Sequence, residues 1–294
     1  MKTYKYYKLN AFVKGNSEGN PAAFLDLGDE TLSDESMQRI AKEHAGFVSE
    51  VVYARKNEER EIFLTYYSSE CEVAFCGHGT IATMYEIIRR DDALRSAKVI
   101  EICTNKKGRL NIYNHIEEED CIYISAPDPV MHGCTLSRAS IAEALGIREE
   151  AISDALPVDI IDAGLRTLLV PIRALEQEVS MYPDEQALKS YCLHNDVDIV
   201  LVFSMETAEP GYFAHTRVFA PKFGYLEDPA TGSGNSAFGY YLLKNKKWSG
   251  DAVRIEQGGD NRIFNEVKLM TTDGKVLFGG KAALKIEGNY FVGS

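Results

Sequence analysis

Residues 76–90 read CGHGTIATMYEIIRR, and residues 227–247 read EDPATGSGNSAFGYYLLKNKK. In the first, glycines give way to Ile81, Met84, Tyr85 and Ile88 on overlapping helical faces, so the loop is predicted to open a helix, and the second has the same form. Exposed backbone N–H groups at such a start form an anion site that the helix dipole strengthens. One glycine-rich turn alone is explained as well by a tight turn; two equivalent ones point toward a ligand carboxylate. Around the first loop, YKLNAF, AAFLDL, SEVVYA, EIFLTYY, KVIEICT, RLNIY and CIYISA alternate with period two and read as strands. Residues 33–44 place Met37, Ile40, Ala41 and His44 at helical spacing, with Ser33 as N-cap and Gly46 as the C′ residue. APDPVMHG (126–133) breaks the strand pattern. Beyond it the order recurs: helical SRASIAEALG, strand-like RTLLVPI, helical PDEQALKSYCLHN, strand-like DIVLVFS and FAHTRVF, then the second loop and its helix. Tyr67 precedes CGHGT by nine positions, and Phe219 precedes DPATG by nine. The chain is therefore predicted to be α+β, with two similar domains at 1–126 and 134–294 facing across a cleft, a linker at 127–133, and a last strand allowed to return to the first half.

Length agrees, because 294 residues exceed what one hydrophobic core supports and suit two domains of about 130 to 150 residues. Hydrophobic residues make up 45% and charged residues 26%, the balance of a globular enzyme rather than a disordered or fibrous chain. A net charge of −12 with no offsetting Lys/Arg run argues against nucleic acid or an anionic membrane as partner. No stretch reaches the roughly 18 apolar residues of a membrane span, and the opening MKTYKYYKLNAFVKG has tyrosines where a signal peptide needs an apolar run, so a cytoplasmic location is expected. Six scattered cysteines without C-x-x-C spacing fit reduced thiols.

Four side chains are candidates for chemistry. Strand alternation places Glu50 on one face with Val48 and Val52, where removal from water is expected to raise its pKa toward working pH, as suits a group that takes and returns a proton. An edge-strand charge that deters aggregation explains the same residue. His78 sits inside the first loop and suits hydrogen bonding or proton donation, or simply a loop cap. Cys76 invites a thiol or metal reading, but Cys71, Cys76 and His78 match no common zinc spacing. A two-base thiol racemase calls for a second cysteine in the second loop, and Asp228 stands there instead, either as a turn aspartate or as a second carboxylate of different pKa. The loose match Gly232-x-Gly234-x-x-Ala237 lacks the preceding buried strand of a dinucleotide fingerprint, so a nicotinamide cofactor is not expected.

Taken together, GNPAAF (19–24), SEVVYA (49–54), CGHGTIA (76–82), RVFAP (217–221), EDPATGSGNSAFGYYL (227–242) and IEQGG (255–259) resemble the phenazine-biosynthesis PhzF-like family of the diaminopimelate epimerase superfamily. The resemblance implies two pseudo-symmetric halves, each a β-sheet wrapped around a central helix, assembled as a homodimer, with no metal or organic cofactor. It further implies Glu50 as the acid/base that shifts a proton on a small carboxylate-bearing substrate, with His78 and Asp228 in catalytic support. Asn20, Gly77, Gly79, Thr80, Thr231, Gly232 and Ser233 match the loop positions that would bind substrate. Two departures stand out: Val51 follows Ser-Glu where the family commonly has threonine, and Tyr67-Ser68-Ser69 replaces its usual F-T-P. A thiol-based epimerase using Cys76 and a non-catalytic binder of small molecules are the competing readings.

Overall fold

The computed structural model describes residues 2–259 and 261–293. They form two compact units, residues 1–125 with 279–294, and residues 126–278.

The first unit runs β1 (Lys2–Ala11), β2 (Asn20–Asp26), α1 (Asp34–Glu43), β3 (Glu50–Lys56), β4 (Ile62–Ser68), β5 (Glu72–Val73) and α2 (Gly77–Arg90). It continues through α3 (Asp92–Arg95), β6 (Val99–Thr104), β7 (Gly108–His115), α4 (Ile116–Glu119) and β8 (Cys121–Ser125). The second unit holds β9 (Val130–Met131), α5 (Arg138–Leu145), β10 (Asp159–Asp162), β11 (Arg166–Pro171), α6 (Leu175–Val179), α7 (Glu185–His194), β12 (Ile199–Ser204) and β13 (Ala214–Phe219). Then come β14 (Glu227–Asp228), α8 (Gly232–Lys244), β15 (Val253–Gln257), β16 (Asn265–Thr272) and β17 (Lys275–Gly280), which leads the chain back into the first unit for β18 (Ala282–Val292).

In the first unit β1 pairs antiparallel with β2 and β18, β2 pairs parallel with β3, β3 antiparallel with β4, and β4 antiparallel with β5 and parallel with β6. The second unit repeats this order: β10–β11 antiparallel, β11–β12 parallel, β12–β13 antiparallel, then β13 antiparallel with β14 and parallel with β15. In each unit the long glycine-started helix falls between a two-residue strand (β5 or β14) and the strand that follows it in parallel pairing (β6 or β15). α2 touches β1, β2, β3, β8 and β18, so the sheet curls around it, which explains why Ile81, Met84, Tyr85 and Ile88 are buried together with Thr80, Thr83 and Glu86 on its other faces. A second layer covers each sheet's outer face. There α1 contributes Met37, Ile40 and Ala41 against Leu25, Val51 and Tyr53, while α5 and α7 contribute Ile141, Leu145, Leu188 and Cys192 against Leu168, Val200 and Phe219.

Local signals account for the ends of these elements. The Ser33 hydroxyl accepts from the Ser36 N–H at 3.3 Å, Asp34 and Glu35 fill the first turn of α1, Lys42 the last, and Gly46 takes a positive φ of 77° just beyond it. None of the six cysteines forms a disulfide. No helix among the described residues is long and apolar enough to cross a membrane. Residues 127–133 are corrected from a linker to part of the second unit, because β9 pairs antiparallel with β10. The second unit stops at Phe278 because the final strand completes the first sheet beside β1.

Candidate active site

At the N-terminus of α2 the N-cap is Cys76, in extended conformation (φ −130°, ψ 109°), and its sulfur accepts the Gly79 N–H at 3.2 Å. Gly79 has no room for a side chain: an added Cβ would lie 2.9 Å from both the Cys76 Sγ and a Val52 methyl. The Thr80 hydroxyl donates to the Cys76 carbonyl at 2.7 Å and pairs with the Tyr66 hydroxyl at 2.8 Å, so that side chain locks the loop from beneath. The N–H groups of Gly77 and His78 have no acceptor among the described residues.

Glu50 opens β3 and faces this helix start. Its Oε2 lies 3.1 Å from His78 Nε2 and 3.5 Å from Cys76 Sγ. The two carboxylate-bound side chains are mostly buried, and Glu50 keeps 20% of its side chain open to solvent. The pairing with Val48 expected from alternation does not hold. The chain is still turning at residues 44–48 through N–H bonds from Phe47 and Val48 to the His44 carbonyl, and Val48 packs with Val51 and Tyr53 on the opposite layer. Val52 does share Glu50's face.

The expected upward pKa shift of Glu50 is also corrected. Burial pushes its carboxyl up, but the hydrogen bond and positive charge of His78, aided by the Cys76 thiol, outweigh burial and hold it below the ordinary value. His78 is disfavoured as a cation by burial, yet Cys76 and Glu50 lift it well above the ordinary imidazole value. The Cys76 thiol is raised by burial and by the Glu50 charge. These directions favour the charged forms of Glu50 and His78 together and the neutral form of the Cys76 thiol. Cys76 Sγ is nearly equidistant from the two His78 nitrogens, 3.6 Å to Nδ1 and 3.7 Å to Nε2, so neither lone pair is aimed at sulfur. Glu50, Cys76 and His78 each offer one ligand atom within 4.8 Å of the others; joint ligation of one ion would require the imidazole to turn.

The second loop is built differently. Thr231 occupies the N-cap of α8, but its hydroxyl makes no capping bond and donates instead to Asp228 Oδ2 at 2.5 Å. The fully buried Gln257 on β15 accepts the Thr231 N–H (3.0 Å) and the Asn235 amide (2.7 Å) and donates to the Asp228 carbonyl (3.0 Å) and Thr231 Oγ1 (3.2 Å). Next to Asp228, Glu227 receives a two-pronged contact from buried Arg217 at 2.7 and 3.0 Å. The N–H groups of Gly232, Ser233 and Gly234 have no acceptor among the described residues.

Strand register corrects the match between the two loops. Tyr67 pairs with Glu72, four residues before Cys76, while Phe219 pairs with Glu227, four residues before Thr231. The position equivalent to Cys76 is therefore Thr231, and Asp228 corresponds to Val73. A short 3-10 turn at Pro221–Phe223 makes the second connection three residues longer, which is why equal spacing in the sequence aligned the wrong residues. By the same register Val51 matches Val200, so Glu50 matches Ile199 and the carboxylate occurs in the first unit alone.

The structure brings Glu50, Cys76 and His78 together, with Gly77, Gly79 and Thr80 at the same helix start, and groups Asp228, Thr231, Gly232 and Ser233 at the other. Asn20 is buried at the start of β2, opposite Ala11 and on the strand neighbouring β3. Gln257 was assigned no role on sequence grounds; a glutamine in an otherwise buried strand was the available signal. A cavity of about 380 Å³ lies elsewhere, beside the far end of α2 and lined by Tyr7, Lys56, Arg60, Glu86 and Arg90. Three of its four lining cations are engaged by carboxylates, Lys56 and Arg60 by Asp91 and Arg90 by Glu86, and the fourth, Arg55, lies over the Phe63 ring.

The doubled α+β arrangement, in which Glu50 and His78 meet at the start of α2, belongs to the epimerase-like fold class. The phenazine biosynthesis-like family model (PhzC-PhzF) matches residues 9–288. The uncharacterized isomerase YfhB of Bacillus subtilis (strain 168) is 33% identical over 262 residues, covering 88% of this chain and 87% of that protein. The trans-2,3-dihydro-3-hydroxyanthranilate isomerase of Pseudomonas aeruginosa is 25% identical over 259 residues, 87% of this chain and 86% of its own. The crystal structure of a Bacillus anthracis phenazine biosynthesis protein of the PhzF family superposes with a TM-score of 0.86 at 24% identity, covering 99% of this chain and 100% of that one. The chain belongs to the phenazine biosynthesis-like (PhzF) family, a family of isomerases with a diaminopimelate epimerase-like fold.

Proposed function

We propose that this protein is an isomerase that moves a proton on a small carboxylate-bearing substrate without a cofactor, with Glu50 as the acid/base. The supporting observation is the 3.1 Å pairing of Glu50 with His78 at the mouth of a helix start. A carboxylate ionised at neutral pH is ready to accept a proton, and an adjacent imidazolium stabilises negative charge that develops on the substrate or returns a proton to it. The N–H groups at the start of α2 would bind the substrate's carboxylate. The family resemblance adds Asp228, Thr231 and Ser233 as substrate-contacting residues. A relative named for isomerising a dihydro-hydroxyanthranilate makes cyclic amino or hydroxy acids the first substrates to try. The competing thiol mechanism needs an activated sulfur. Here Cys76 is pushed toward the neutral form, no imidazole nitrogen is aimed at it, and Thr231 rather than a cysteine occupies the matching cap.

Incubation in heavy water with cyclic carboxylate and amino-acid libraries is expected to place deuterium on one substrate, read by mass spectrometry. Cys76→Ala should retain labelling. Its complete loss in a folded Cys76→Ala variant would transfer the chemistry to the thiol, and absence of labelling with any library member while a ligand still binds would favour a non-catalytic binder. The proposal extends to a cytoplasmic homodimer, which sedimentation of the purified protein would check.

A further inference from the structure

Thr231 presents an anomaly. Threonine is a favoured N-cap because its oxygen accepts from the N–H groups of the first turn, yet at the start of α8 it makes no such bond. Gln257 supplies the reason. Its Oε1 faces two donors, the Thr231 N–H and the Asn235 amide, so the side-chain amide can be oriented only one way and Nε2 must point at the Asp228 carbonyl and Thr231 Oγ1. With Oγ1 accepting from Gln257, the Thr231 hydroxyl proton is directed to Asp228 Oδ2. All four hydrogen-bonding sites of Gln257 are used, and its side chain is fully buried.

We infer that Gln257 is a positioning residue: it turns the Thr231 hydroxyl toward Asp228, holding that carboxylate as an acceptor and leaving the Ser233 and Gly234 N–H groups uncapped for an anionic group of the substrate. This rests on the reading of residues 228–234 as substrate-binding.

Hydrogen exchange of backbone amides in the ligand-free protein tests the inference. In Gln257→Met the released Thr231 hydroxyl is expected to swing onto α8 and slow exchange at Ser233 or Gly234 by about fivefold, the equivalent of an ordinary N-cap bond, even though the rest of the unit is loosened. A glutamine with a merely structural role would speed exchange there with everything else, and that result, or no change, would overturn the inference. Thr231→Val provides a second reading should Gln257→Met fail to fold. Exchange at Ser233 and Gly234 is expected to stay within about twofold of wild type, whereas a fivefold rise would show that Thr231 caps α8 after all. Neither reading involves turnover, so both stand apart from whether Glu50 moves a proton.

Discussion

Glu50 and His78 each favour the other's charged form against the cost of burial, and this sets the expected pH behaviour of the site. The Glu50 carboxyl lies below its ordinary 4.5, so general-base activity is expected to persist down to that pH, with the acidic limb of kcat/KM falling below 4.5; a limb near 6 to 7 would show instead a glutamate raised by burial. The stability contributions run in opposite senses. The lowered carboxyl stabilises above 4.5 and loses its effect as pH falls through its native value, whereas the raised imidazole stabilises below 6.5 and loses its effect as pH rises through its native value. The difference in Tm between wild type and His78→Gln should therefore be greatest between pH 4.5 and 6.5 and should narrow at alkaline pH. A difference that widens with rising pH would contradict the ion pair. Alternation and a loop histidine made both residues legible in the sequence. The direction of the Glu50 shift was not, because it depends on a contact between residues 28 positions apart in the chain.

Among elements, α2 and α8 share a design and differ at the cap. Gly79→Ala would place a methyl 2.9 Å from Val52 and Cys76 Sγ, so helix and strand must separate; a loss of about 1–3 kcal/mol is expected in denaturant unfolding, and a neutral result would mean that α2 sits further from β3 than described. Both helix starts, the Ser33 cap and nearly every strand were readable from period and turn residues, since each depends on local sequence. The match of one loop to the other was not. It follows strand register, and three residues added around Pro221–Phe223 shift the count without leaving a mark in the spacing. Val48 illustrates the same limit, because alternation predicts a face only where the strand has begun, and β3 begins at Glu50.

At the scale of the whole molecule, the chain's last strand belongs to the unit that holds the candidate base. β18 is paired with β1 along its length, and Glu287 and Tyr290 tie it to Arg90 and Glu43. Ending the chain before Ala282 would leave β1 as an open edge, and a large drop in Tm with aggregation is expected. An unchanged melting transition would mean that the first unit folds without it. The repeated pairing order was visible in the sequence as a recurrence of element types, while the crossing of the final strand from one unit to the other has no local signature. The claim that unites these scales is that Glu50 carries the proton, and the most direct measurement is substrate deuteration in heavy water by wild type and by Glu50→Gln, with ligand binding followed in parallel by thermal shift. The wild type is expected to label its substrate and Glu50→Gln to bind it without labelling; labelling that continues at the wild-type rate in Glu50→Gln would contradict the account.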